Sequence, residues 1–269
     1  METENEIKRV VRDRYASAAL TTKRCCGAAA GKGLAQSDLG LDMIGDAYKA
    51  VDGYVADADL GLGCGLPTQH AGIKPGDVVL DLGSGAGIDA FVARRIVGES
   101  GRIIGVDMTP EMLSRARENA AKLGYDNVEF RAGEIEALPI DDASIDVVVS
   151  NCVLNLVPNK AGAFAEIYRV LRPGAYFCVS DIVATGMLPE PIRKAAALYV
   201  GCVAGALPRD EYLRLIKEAG FEAIDVAEAK PIDMPDDVLI PHLDSAGLAA
   251  FRRSCISLLS ITVRANKPV

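Results

Sequence analysis

Val78-Val79-Leu80-Asp81-Leu82-Gly83-Ser84-Gly85-Ala86-Gly87 is the stretch on which the fold turns. Its first half is apolar and β-branched, with the length of a strand buried on both faces, and Pro75-Gly76-Asp77 marks where the ordered pattern begins. Its second half is a glycine-rich turn set directly between that strand and a helix-forming segment. Glycines at 83, 85 and 87 permit a tight turn and let a ligand lie against bare backbone, at the carboxyl edge where open α/β sheets bind nucleotides.

Downstream, strands are expected at Arg102 to Val106, Val128 to Arg131, Ile145 to Ser150 and Tyr176 to Asp181, each separated by a helix-length segment. One of these helices opens with Thr109 as N-cap and Pro110 in its first turn. Another places Phe164, Ile167, Tyr168 and Leu171 on one face and stops at Arg172-Pro173-Gly174. Such alternation implies parallel strands joined by right-handed crossovers, a doubly wound α/β fold of Rossmann-like type. From Ala184 to Leu207 runs an apolar insertion, expected to be helical and to cover the site. A further helix from about Pro208 ends near Gly220, and two last strands, near Glu222 to Ala229 and Ile256 to Ala265, suit an antiparallel edge. Upstream, Ile7, Val10, Val11, Tyr15 and Ala18 share one face of an amphipathic helix, while Thr21 to Leu66 reads as loops and short helices. The chain divides into an N-terminal helix with cysteine-bearing loops (1–70), a cofactor-binding core (71–182) and an insertion plus closing strands (183–269).

Composition excludes several functions. The 269 residues carry a formal charge of −8 without a dense Lys/Arg cluster, so no nucleic-acid partner is expected. The longest apolar run, Ala195 to Leu207, falls short of the roughly 20 residues that span a bilayer. An acidic start, Met1-Glu2-Thr3-Glu4-Asn5-Glu6, is unlike a secretory signal, and a cytoplasmic protein is expected. In such a reducing compartment the 7 cysteines (Cys25, Cys26, Cys64, Cys152, Cys178, Cys202 and Cys255) are core residues, soft-metal ligands or redox-active thiols.

The dinucleotide fingerprint asks for glycine where Ile88 stands, which weakens a nicotinamide reading. Without a pyrophosphate to cradle, Gly83, Ser84 and Gly85 suit the amino-acid portion of S-adenosylmethionine, with Asp81 near its ammonium group. Asp107 ends the second strand about 20 residues past the turn, where an acid accepts hydrogen bonds from ribose hydroxyls, a spacing that suits NAD equally. Glu134 is placed to accept from an adenine amino group, and Ile135 to pack on the ring.

The glycine turn combined with Gly105-Val106-Asp107-Met108-Thr109, Ser150-Asn151-Cys152-Val153-Leu154-Asn155-Leu156 and Gly201-Cys202-Val203-Ala204-Gly205-Ala206 resembles the arsenite methyltransferase family, over nearly the whole chain. The first two blocks are shared with many class I S-adenosylmethionine-dependent methyltransferases, including the quinone-biosynthesis type. The cysteine blocks are the specific ones. The resemblance implies a class I methyltransferase sheet of order 3-2-1-4-5-7-6 and S-adenosylmethionine as cofactor, with Met108 and Asn151 joining the cofactor side. It also implies that Cys64, Cys152 and Cys202 bind arsenic. Leu62 stands where many members of the family carry an aromatic residue.

Trivalent arsenic is thiophilic, and three thiolates leave its lone pair free to attack a methyl carbon in line, with no general base required. Cys152 lies just beyond the fourth strand, Asn151 is placed to orient the neighbouring backbone, and the glycine-flanked loops of Cys64 and Cys202 are expected to close on the metalloid. The adjacent pair Cys25-Cys26 suits attack on a disulfide formed elsewhere in the cycle, restored by thioredoxin or a small thiol. Cys178 and Cys255 are expected in the core, and His70 and His242 carry no chemistry. Two other readings remain, a methyltransferase for a quinone or other metabolite and a thiol protein that sequesters arsenic. Separation of arsenic species after incubation with S-adenosylmethionine distinguishes the three.

Overall fold

The computed structural model describes residues 4–21, 45–195 and 205–269. Seven strands form one sheet: β1 (Val78–Leu82), β2 (Arg102–Asp107), β3 (Val128–Ala132), β4 (Ile145–Asn151), β5 (Leu171–Ala184), β6 (Glu222–Ile232) and β7 (Leu258–Asn266). Their order is β3-β2-β1-β4-β5-β7-β6, the order the resemblance implies. β1 to β5 run parallel, and β7 lies antiparallel between β5 and β6. The fold is the Rossmann-like fold of class I methyltransferases.

Among the described residues the helices are α1 (Glu4–Thr21), α2 (Pro67–His70), α3 (Ile88–Val97), α4 (Pro110–Leu123), α5 (Lys160–Val170), α6 (Glu190–Arg193), α7 (Arg209–Glu218), α8 (Asp236–Leu239) and α9 (Ser245–Arg253). Because successive strand residues point to opposite faces, both faces of this sheet need cover. Val79, Ile103, Val147 and Val149 pack on Phe91 of α3 and Leu113 and Ala116 of α4. Leu80, Leu82, Val106 and Val148 meet Phe164 and Ile167 of α5 and Tyr212 and Ile216 of α7. A third cluster forms beyond the carboxyl ends of β4 and β5. There Val11 of α1, Cys64, Cys152, Leu156, Ile192 of α6, Leu239 of α8 and Phe251 of α9 come together.

Two expectations need correction. Leu171 belongs to β5, not to the preceding helix: it pairs with Ile145, after which the register shifts and pairing resumes at Val147 with Tyr176. Arg172-Pro173-Gly174 does stop the helix, but it sits in that irregularity, where Gly174 has φ 77°. Cys255 is exposed instead of buried. The last strand starts only at Leu258, so Cys255 falls in the turn after α9, with φ 56°.

Candidate active site

The glycine turn closes the first βα unit by backbone bonding. Gly83, Gly85 and Gly87 have φ of 65°, 51° and 99°, the left-handed region that L side chains avoid. Gly83 and Ser84 N–H both donate to the Val106 carbonyl, at 2.8 and 3.1 Å, tying β1 to β2 at their ends. Asp107 extends the tie: its Oδ2 accepts from Gly85 N–H at 2.9 Å and its Oδ1 from Thr109 N–H at 2.8 Å. Burial pushes the Asp107 carboxyl above its usual range, and these amides pull against that shift. Each of its oxygens keeps acceptor capacity for a further donor.

Beside the turn opens a cleft of about 1080 Å³, its open mouth included. Asp81, Gly83, Ser84, Gly85, Asp107, Met108, Glu134, Ile135, Asn151 and Cys152 all line it. Part of its wall comes from α1, through Lys8, Val11 and Tyr15. Lys8 Nζ reaches Glu134 Oε2 at 2.7 Å and Glu136 Oε1 at 3.1 Å, and Arg12 lies 3.7 Å from Glu134. The Glu134 carboxylate is therefore bonded to α1. Ile135 is buried in the cleft wall. Neither histidine lines the cleft.

The floor of the cleft suits a cation. Asp81 is buried, and its Oδ2 has no partner among the described residues. Burial, then the nearby Asp89 and Asp107 carboxylates, push its pKa well above the usual range. A buried acid in that state is met most favourably by a positively charged donor, as the ammonium of S-adenosylmethionine would be. Asp89 and Tyr48 also line the floor and were missed by sequence reasoning. Asp89 could have been noticed as an acid in the first turn of a helix opened by a glycine turn. Tyr48 sits in a 3-10 turn, Gly45–Ala50, inside the stretch read as loops, and carries no local signal. Burial raises the Asp89 carboxyl to about 6, opposed by hydrogen bonds from Tyr48 and Asn151.

Two of the three family-implied arsenic ligands, Cys64 and Cys152, fall in one buried cluster, and Cys152 lines the cleft. Asn151, the last residue of β4, accepts at Oδ1 from Cys64 N–H at 3.1 Å and Gly65 N–H at 3.2 Å, and donates from Nδ2 to Gly65 O at 2.8 Å. Ser260 Oγ of β7 donates to Cys64 O at 2.6 Å. Cys64 is thus clamped at both its amide and its carbonyl, its amide held by the residue that precedes Cys152. This differs from the expectation of a loop that closes on the metalloid. The glycines on either side make the clamp possible: a Cβ at 63 would lie 2.7 Å from Asn151 Nδ2, and one at 65 would lie 2.4 Å from Ser180 Oγ. Cys64 and Cys152 are both buried. Cys152 has φ 60°, an uncommon conformation for a residue with a side chain, held by its N–H bond to Ser180 O at 2.8 Å. Cys25, Cys26 and Cys202 lie outside the described residues. Cys178 is buried in β5, and burial raises its thiol to about 12.

A methyltransferase-domain family model matches residues 73–220. The arsenite methyltransferase of Halobacterium salinarum is 43% identical over 281 aligned residues, covering 98% of this chain and 67% of that one. That of Aquipseudomonas alcaligenes is 40% identical over 191 residues, covering 68% of this chain and 55% of that one. The chain thus spans between about half and two thirds of the length of these curated relatives. Among solved structures, the arsenic(III) S-adenosylmethionine methyltransferase of Chlamydomonas reinhardtii is 40% identical and superposes with a TM-score of 0.65, over 77% of this chain and 68% of that one. A glycine turn with its orphaned acid, a sheet of this order and likeness across nearly the whole sequence establish that the chain belongs to the arsenite methyltransferase family of S-adenosylmethionine-dependent enzymes.

Proposed function

We propose that the protein methylates trivalent arsenic, as arsenite or a methylated trivalent arsenical, held by Cys64, Cys152 and Cys202. The observation that carries this reading is the clamp that ties buried Cys64 to Asn151, the residue before Cys152, in the buried cluster that the two cysteines share beside the cofactor cleft. Core cysteines need no such device. The third thiol is assigned by the family resemblance of the Gly201-Cys202-Val203 block.

S-adenosylmethionine supplies the electrophilic methyl group when bound. Asp81 would receive its ammonium, Asp107 would accept from the ribose hydroxyls, and Ile135 would pack on the adenine. The thiols bind arsenic by exchange with its hydroxyl groups, each leaving as water. The bound arsenic keeps its lone pair, which attacks the methyl carbon opposite the departing sulfur. Positioning two reactants in this way can remove roughly 7–11 kcal/mol of a barrier. Methyl transfer takes arsenic formally from the trivalent to the pentavalent state; two thiolates return the two electrons and become a disulfide, with which Cys25 and Cys26 exchange, and thioredoxin or a small thiol is the final reductant. A cytoplasmic setting, where thiols stay reduced, suits this chemistry. Among the described residues no helix is long and apolar enough to cross a membrane.

The deciding assay incubates the protein with arsenite, S-adenosylmethionine and a dithiol, then separates arsenic species. Methylated arsenicals are expected. Cys64→Ser and Cys152→Ser should each abolish them while leaving S-adenosylhomocysteine affinity nearly intact. Full activity in both variants would reject the thiol site, and a methylated quinone with no methylated arsenical would replace the substrate.

A further inference from the structure

The segment from Cys152 to Pro158 carries a thiol at its start and then walls the cleft through Val153, Leu156, Val157 and Pro158. It contains one 3-10 turn, Leu154–Leu156. The bonds of that turn run from Leu156 N–H to Val153 O at 2.9 Å and from Val157 N–H to Leu154 O at 3.1 Å. They use neither the Asn155 N–H nor the carbonyls of Asn155 and Val157. Backbone groups left over by so short a turn need outside partners when buried, and Asn155 is fully buried.

Those partners are ionisable. Lys160 Nζ, at the start of α5, donates to Asn155 O and to Val157 O, both at 3.1 Å, although the lysine is only 8% exposed. The Asn155 N–H is directed at the carboxyl of Asp181, which is 1% exposed and also faces the charge of Lys160. Asn155 Nδ2 adds a bond to Ile182 O at 2.8 Å, and Cys152 N–H one to Ser180 O at 2.8 Å. Residues 180, 181 and 182 of β5 thus grip the segment, and Lys160 closes the grip from behind. On the cleft side Val153 seats the same segment against Gly83, where a Cβ would lie 2.4 Å from the Val153 side chain.

Burying an ammonium is costly, and a neutral cap would spare that cost. A hydroxyl has one donor, whereas an ammonium on a long stem reaches two carbonyls at once. Buried charges of this kind add little net stability, and their use is to select one backbone conformation. The residue that needs selecting is Cys152, whose φ of 60° is uncommon for a residue with a side chain. We propose that Lys160, with Asp181 facing it, is a positioning residue that fixes the turn after Cys152 and so sets the Cys152 sulfur for arsenic. This rests on the thiol reading above. Neither side chain lines the cleft, so both act through the backbone of the turn.

The test needs no turnover. Arsenite and S-adenosylhomocysteine are titrated separately by calorimetry into wild type and into Lys160→Met, which keeps the stem and removes the donors. The variant should bind arsenite about tenfold or more weaker, and S-adenosylhomocysteine less than about threefold weaker. X-ray absorption of the arsenite-loaded proteins should show three sulfur neighbours around arsenic in wild type, and two with an oxygen in the variant. Should Lys160→Met fail to fold, Asp181→Asn is read in the same way, with a several-fold loss for arsenite expected. Equal weakening of both ligands would make the pair general scaffold, and three sulfurs with unchanged arsenite affinity would leave the turn to its own bonds; either overturns the proposal. Wild type without arsenic–sulfur bonds overturns the thiol reading itself, and so separates the two failures.

Discussion

At the residue scale, the glycines of the cofactor turn are not equivalent. Gly83 has φ 65° and would place a Cβ 2.4 Å from Val153, so alanine there meets both backbone strain and a collision with a branched side chain. Gly85 has φ 51°, but its Cβ would find only Met112 Sδ, at 4.0 Å. Gly85→Ala should therefore cost about 1–2 kcal/mol, the left-handed penalty alone, and Gly83→Ala should cost more by roughly another 1–3 kcal/mol of overpacking. Chemical denaturation of the two variants checks the order. Asn151 is the other residue on which much depends. Asn151→Ala strands the Cys64 and Gly65 amides, and each buried group left unsatisfied costs about 1–3 kcal/mol. Its melting temperature should fall, and calorimetric titration with arsenite should show a weaker site. Retention of wild-type arsenite affinity would show that the clamp does not position Cys64.

At the element scale, the N-terminal helix acts as a wall of the cleft. Val11 is 2% exposed in the cap cluster, and Arg115 of α4 donates to the Ala19 carbonyl at 3.1 Å, so apolar contact and backbone bonding hold α1 down. Its ion pairs with Glu134 and Glu136 are partly exposed, and such pairs contribute only about 0–1 kcal/mol. Lys8→Ala should accordingly weaken S-adenosylhomocysteine binding only slightly. Val11→Asp, which buries an unpaired charge, should detach the helix and weaken binding by about tenfold or more. Calorimetry on both variants decides between apolar docking and electrostatic docking. Equal effects would favour the latter.

At the scale of the whole molecule, buried acids make stability depend on pH. Asp181, at the end of the sheet where β5 passes beneath the cap cluster, is fully buried. Burial raises its carboxyl to about 7, against the opposing influence of Lys160 and hydrogen bonds that include the Tyr212 hydroxyl at 3.1 Å. A carboxyl raised on folding binds its proton more tightly in the native state. Its contribution to stability is therefore largest below the unfolded value near 4 and declines as pH rises to about 7, after which it is constant. Asp181→Asn, which stays neutral, should flatten that decline. The variant should melt higher than wild type at pH 8 relative to the same comparison at pH 4. An unchanged difference between the two pH values would show that Asp181 is ionised throughout.

What the amino-acid sequence determined by itself was whatever depends on near neighbours. A buried strand followed by Gly83-Ser84-Gly85-Ala86-Gly87 can only make a tight turn at a sheet edge, and the alternation of apolar runs with helix-length segments sets the parallel strands. The arsenite methyltransferase likeness was legible because the cysteine blocks are themselves contiguous. What only the tertiary structure decided was whatever depends on partners far along the chain. Tyr48 meets Asp89 and Asn151 across 41 and 103 positions, and Ser260 meets Cys64 across 196. No local pattern encodes such meetings, because a hydrogen bond between distant segments depends on where the sheet carries each of them. For the same reason α1 read as an amphipathic helix, but its burial against the cofactor cleft did not. Cys255 read as core until the turn that exposes it was seen.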